Sequence, residues 1–181
     1  VSYEWVKSEL IKQIKEKAVV QGRVILSSGK EADYYVDLRR VTLDSVAAPL
    51  IGQAMLEVTK DLDFEAVGGL TLGADPVATA MMHVAQQNGR KLNAFVVRKE
   101  GKAHGLQRRI EGPDVAGKKV LAIEDTSTTG GSVLTAVDAL TEAGAIVVGV
   151  AVVVDRGAGK KIEDAGLKYI SVVSLQELGL N

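Results

Sequence analysis

Apolar positions along the chain follow two periods, and each change of period marks an element. Trp5, Val6, Leu10, Ile11 and Ile14 recur at helical spacing and predict an amphipathic helix over Tyr3–Lys17. Residues 23–27 and 34–38 are short β-prone runs on either side of Ser28-Gly29-Lys30 and predict two strands around a turn. Helical spacing returns over residues 45–60, with Val46, Leu50, Ile51, Met55 and Leu56 facing inward. Strands and helices then alternate. Ala66–Leu70 is a strand, 76–87 a helix with Pro76 in its first turn, and Asn93–Val97 a strand. Residues 120–123 are a wholly apolar strand, followed by a helix from Ser132 to Ala143 closed by Gly144, a strand at 146–154 and a last strand at 168–173. Apolar strands alternating with helices imply an α/β fold: a mostly parallel central sheet flanked by helices. The less regular stretch over about residues 1–60 predicts a small N-terminal cap, or hood, ahead of a core at about 61–175.

Composition narrows the class without naming a chemistry. A chain of 181 residues is read as one domain, and 46% hydrophobic with 25% charged residues is globular composition. The net charge of −1 gives no electrostatic case for a nucleic-acid or membrane partner. There is no cysteine, so disulfides and thiolate chemistry are excluded, and a cytoplasmic setting is expected. No apolar run approaches a membrane span, and the amphipathic, acid-bearing first segment is unlike a signal peptide.

The chemistry concentrates in VLAIEDTSTTGGSVLTA, residues 120–136. The apolar strand is followed by Glu124 and Asp125, and Thr126 to Ser132 is expected to be turn rather than strand interior. Gly130 and Gly131 allow tight φ > 0 geometry and close approach of a ligand to the backbone. The N–H groups of a helix start, with the hydroxyls of Thr126, Ser127, Thr128 and Thr129, make a cradle for a phosphate. Two carboxylates would repel that phosphate. They therefore suit another part of the same ligand, such as ribose hydroxyls or a metal-bridged group. Neither G-x-x-x-x-G-K-[ST] nor a strand-borne G-x-G-x-x-G is present.

Further candidates surround this turn. RKEGKAHGLQRR, residues 98–109, places Arg98, Lys99, Lys102, His104, Arg108 and Arg109 on a long segment after an apolar strand. Such loops are often lids, and cations on one suit a polyanionic substrate and an anionic leaving group. Leu70 to Pro76 is a second strand-to-helix turn, either a plain connection or an anion site through its N–H groups. Tyr34 and Tyr35, after Ser27-Ser28-Gly29-Lys30, are read either as hairpin packing or as contacts to a planar ring. Arg156 ends a central strand, where it could pair bidentately with a carboxylate. His83 lies mid-helix and is read as structural.

The strand, the two acids and the T-S-T-T-G-G loop resemble the phosphoribosyl-diphosphate signature of the type I phosphoribosyltransferases. R-K-x-x-K-x-H-G resembles the flexible catalytic loop of orotate phosphoribosyltransferases, and the resemblance covers the chain in order from SSGK to DR. It implies the type I phosphoribosyltransferase fold and transfer of ribose 5-phosphate from phosphoribosyl diphosphate to orotate, in pyrimidine biosynthesis. It implies ribose contacts at Glu124 and Asp125, and 5′-phosphate contacts from Thr126, Ser127, Thr128, Thr129, Gly130, Gly131 and Ser132. Diphosphate contacts fall to Arg98, Lys99, Lys102 and His104, and orotate contacts to Thr128 and Arg156. Lys102, Lys99 and Asp125 are the expected catalytic residues. Mg²⁺ is expected, bound mainly through the substrate, and a homodimer in which Lys99 reaches the neighbouring subunit's site. The resemblance departs at two places: the lysine that many bacterial members carry appears here as Gly73, and the one that some members carry appears as Ser27. Two rivals remain: transfer to another base, and a non-catalytic phosphoribosyl-diphosphate-binding regulator.

Overall fold

The computed structural model describes residues 1–25, 29–100 and 108–180. Helix α1 (Tyr3–Lys17) is capped by Ser2, whose hydroxyl accepts from the Trp5 N–H at 3.3 Å. It buries Val6, Leu10 and Ile14, one turn apart on a single stripe. Trp5 lies off that stripe and is 51% exposed, against the sequence expectation.

Strands β1 (Val19–Ile25) and β2 (Glu31–Val36) pair antiparallel as a separate two-stranded sheet. Both begin earlier than expected, and the ladder closes with the Asp37 N–H donating to the Ala18 carbonyl at 2.8 Å. The expected turn is described only from Gly29 onward, since Ser27 and Ser28 lie outside the described residues. The one helix expected over residues 45–60 is α3 (Ala47–Val58), and a short α2 (Arg39–Thr42), which the sequence does not predict, precedes it. Asp44 makes the break: its Oδ2 accepts from the N–H groups of Val46 and Ala47 and from Lys17 Nζ. Val46 therefore stands outside α3 and is 55% exposed rather than inward.

The main sheet has the order β5-β4-β3-β6-β7-β8. It contains β3 (Ala66–Leu70), β4 (Asn93–Val97), β5 (Ile110–Glu111), β6 (Lys119–Ser127), β7 (Ile146–Asp155) and β8 (Tyr169–Ser174). All its pairings are parallel except β4 with β5, an antiparallel edge strand that the sequence reading did not separate from the long loop. Helices α4 (Asp75–Gln87), α5 (Gly131–Glu142) and the short α6 (Gly159–Asp164) complete the covering layers.

The apolar strands face two cores. Leu121 and Ile123 of β6 join Ile51, Met55 and Met81 on one side, whereas Val120 and Ala122 join Val133, Ala136 and Leu140 of α5 on the other. This explains why residues 120–123 are apolar without alternation: both faces are covered. Val6, Leu10 and Ile14 belong to the same cluster as Val153 and Val173. Helices α1 and α3 are thus packed into the body of the protein, and the β1–β2 pair alone has a sheet of its own among the described residues.

Candidate functional site

Register brings four strand ends together at one edge. Leu70 of β3 pairs with Val97 of β4, and Thr71 donates its N–H to the Val97 carbonyl at 2.9 Å. On the other side, β6 runs beside β7, with Thr126 opposite Val154 and Ser127 opposite Asp155. The turn 71–74, the segment entering at Arg98, the acids of β6 and Arg156 after β7 therefore all emerge at the carboxyl edge, where open α/β sheets bind ligands.

Thr126 and Ser127 are strand residues, which corrects the expectation that turn begins at Thr126. The long β7 supplies the partner, and Thr126 Oγ1 donates to the Val154 carbonyl at 3.0 Å. Ser127 Oγ accepts from the Gly130 N–H at 3.1 Å, and Thr129 Oγ1 accepts from the Gly131 N–H at 3.3 Å. These hydroxyls shape the turn. Thr128 and Thr129 are exposed, as a ligand cradle requires. Gly130 has φ +81°, so this position needs glycine, while Gly131 opens α5 in ordinary helical geometry, one residue before the expected start at Ser132. The N–H groups of Ser132 and Val133 donate to no group among the described residues and open toward the turn.

Glu124 is 7% exposed, and its Oε2 has no hydrogen-bond partner among the described residues. Burial pushes its carboxyl up to about 8, and the neighbouring Asp125 and Asp75 charges push the same way. Burial also raises Asp125, opposed by the Thr126 N–H on its Oδ1 at 2.8 Å and by Arg39. Both carboxylates close on the turn after β3. A Cβ at Gly73 would lie 2.6 Å from Glu124 Oε1 and 2.8 Å from Asp125 Oδ1. The main chain at Gly73 therefore lies directly against the acids.

Three contributors escaped the sequence reading. Arg39 and Asp37, from the segment after β2, act electrostatically on Asp125, in opposite senses. Asp75 accepts from Thr71 Oγ1 at 2.6 Å, and its charge bears on Glu124. An acid at the start of a helix, just after a glycine turn, was the available signal for Asp75. Nothing local points to Arg39.

Arg156 is half-buried, and its turn is fixed by Asp155. Asp155 Oδ1 accepts from the Tyr169 hydroxyl at 2.7 Å and the Gly157 N–H at 3.0 Å. Arg98 pairs with Glu111 at 3.4 Å, and Lys99 is exposed. Lys102 and His104 lie outside the described residues. Tyr34 and Tyr35 are both half-buried on β2, and His83 is exposed on α4. A cavity of about 660 Å³ is lined by Arg108, Arg109, Asp114 and Glu142 and touches none of the acids above. Among the described residues no three His, Asp or Glu side chains are grouped to hold a metal ion.

Residues 68–178 match the phosphoribosyl transferase domain. The chain is 64% identical over 179 residues to the orotate phosphoribosyltransferase of Streptomyces coelicolor, covering 97% of this chain and 98% of that one. The chain belongs to the orotate phosphoribosyltransferase family. The fold agrees with this family at the level of solved structures. The Mycobacterium tuberculosis orotate phosphoribosyltransferase in complex with Fe(III) dicitrate superposes with a TM-score of 0.89 at 59% identity, covering 97% of this chain and 99% of that one. The same enzyme in complex with 5-phospho-α-D-ribosyl 1-diphosphate gives 0.86 at 54% identity with the same coverage. No described helix is long and apolar enough to cross a membrane.

Proposed function

We propose that this chain transfers ribose 5-phosphate from 5-phosphoribosyl 1-diphosphate to orotate, giving orotidine 5′-phosphate and diphosphate in de novo pyrimidine biosynthesis. One observation carries the reading: the buried Glu124 and half-buried Asp125, a glycine-opened helix start and a second strand-to-helix turn converge at a single sheet edge. That arrangement supplies separate places for ribose, phosphate and diphosphate.

In the proposed reaction the bond from ribose C1 to diphosphate breaks and N1 of orotate takes its place. Positive charge builds at C1 on the way. Asp125 and Glu124 orient the ribose hydroxyls and favour that charge. Because Glu124 is held near 8, the ligand-free pair keeps a proton at neutral pH, and the proton limits the repulsion between them. Thr126, Ser127, Thr128, Thr129, Gly130, Gly131 and Ser132 hold the 5′-phosphate. Arg98, Lys99, Lys102 and His104 close over the diphosphate and exclude water. Thr128 and Arg156 place orotate, the guanidinium facing its carboxylate.

A divalent ion, Mg²⁺ in this proposal, fits as a group carried mainly by the substrate, since Glu124 Oε2 is a buried acceptor without a donor among the described residues. When bound it would neutralise the leaving diphosphate. The proposal includes one domain spanning the chain, a cytoplasmic setting and a homodimer with shared active sites.

The test is product identification. Mass spectrometry of a mixture of protein, orotate, phosphoribosyl diphosphate and Mg²⁺ should find orotidine 5′-phosphate and diphosphate in equal amounts. Absence of the nucleotide with folded protein would reject the assignment.

A further inference from the structure

In the transfer proposed above, the turn after β3 would meet the diphosphate without a cation of its own. Between Thr71 and Asp75 it carries no lysine or arginine, and its Gly73 backbone lies against two carboxylates. What it offers is main chain: the N–H groups of Leu72 and Gly73 donate to no group among the described residues. Binding through such donors depends on their direction, so the shape of the turn decides its affinity.

One side chain closes this shape. Asp75 opens α4, a position from which an acid ordinarily faces solvent at the helix N-terminus. Here Asp75 reaches back across the turn, and its Oδ2 accepts from Thr71 Oγ1 at 2.6 Å. Its Oδ1 is buried without a partner. The residue before it, Ala74, gives α4 no side-chain cap. The remaining ties are the Thr71 N–H to Val97 and the longer Ala74 N–H to Leu70, at 3.3 Å. The Thr71–Asp75 bond thus spans the whole arc that carries Leu72 and Gly73.

We propose that Asp75 is a positioning residue, whose bond to Thr71 holds the turn 71–75 in the shape that presents the Leu72 and Gly73 N–H groups to the diphosphate. The inference rests on the phosphoribosyl transfer proposed above.

Calorimetric titration of the full chain with inorganic diphosphate and Mg²⁺, and separately with ribose 5-phosphate, tests this. Asp75→Ala and Thr71→Val should each weaken diphosphate binding by about tenfold. Ribose 5-phosphate, held at the other turn, should bind within about twofold of the parent. Asp75→Asn keeps an oxygen that accepts from Thr71 and should stay within about threefold for diphosphate. Unchanged diphosphate affinity in both truncations would overturn the inference. So would equal losses for both ligands, or Asp75→Asn as weak as Asp75→Ala. Should Asp75→Ala not fold, Thr71→Val decides. Failure of the parent protein to bind diphosphate would instead reject the functional reading itself.

Discussion

At the residue scale the acid pair is the centre of the account. Glu124 and Asp125 are poorly placed for stability, being buried beside each other and beside Asp75. Asp125→Asn should lower turnover by about 10²-fold or more, the scale of losing an electrostatic contact to a reacting centre. The melting temperature should stay within a few degrees, because the change removes a buried charge rather than a packed side chain. Glu124 gives a pH signature. Its carboxyl titrates from 4.5 in an ordinary setting and from about 8 in the fold, so between these values the folded chain holds the extra proton. The stability from that proton is complete below pH 4.5 and is lost as pH rises through about 8. Urea unfolding of the ligand-free protein should show stability falling across this window, and Glu124→Gln should flatten the slope. Arg156 belongs at the same scale. Losing one partner of a charge-assisted pair costs about 2–5 kcal/mol, so Arg156→Ala should raise the KM for orotate far more than that for phosphoribosyl diphosphate. Equal effects on both substrates would reopen the choice of base. The identities of these residues were legible in the sequence. The closeness of the two acids to Gly73 was not, because it joins residues 51 and 52 positions apart through a proximity that no local pattern encodes.

At the element scale, the strand-turn-helix unit was legible because its parts obey local rules. A double-sided apolar run gave β6, and glycine gave the start of α5. Its boundary was misjudged because Thr126 and Ser127 have turn-like chemistry, whereas pairing to Val154 and Asp155 decides their conformation. The later start of α3, at Ala47, escaped for a related reason. Asp44 captures two backbone N–H groups and a lysine from α1, a tertiary contact that overrides the helical spacing. Gly130 tests the unit. At φ +81° an alanine is strained by about 1–2 kcal/mol. Gly130→Ala should lose that much stability in urea unfolding and weaken ribose 5-phosphate binding at the same time. Loss of stability with unchanged binding would separate this turn from the phosphate.

At the scale of the whole molecule, the order β5-β4-β3-β6-β7-β8 places β3, β6 and β7 at the centre, which is why their carboxyl ends meet. Alternation of elements was enough to infer a mostly parallel sheet, but two-residue β5 was too short to announce itself. The proposed dimer is testable through Lys99. Mixing inactive Lys99→Ala and Asp125→Asn chains under conditions that exchange subunits should restore activity to about a quarter of wild type, since about half the dimers are mixed and each has one intact site. No recovery despite verified exchange would mean that Lys99 serves its own chain.

The most direct test of the central claim is the absorbance of orotate followed with phosphoribosyl diphosphate and Mg²⁺, beside parallel reactions offering uracil or adenine. The account predicts rapid depletion of orotate that depends on phosphoribosyl diphosphate, with little turnover of either competing base. Unchanged orotate, or uracil or adenine consumed as fast, would contradict it.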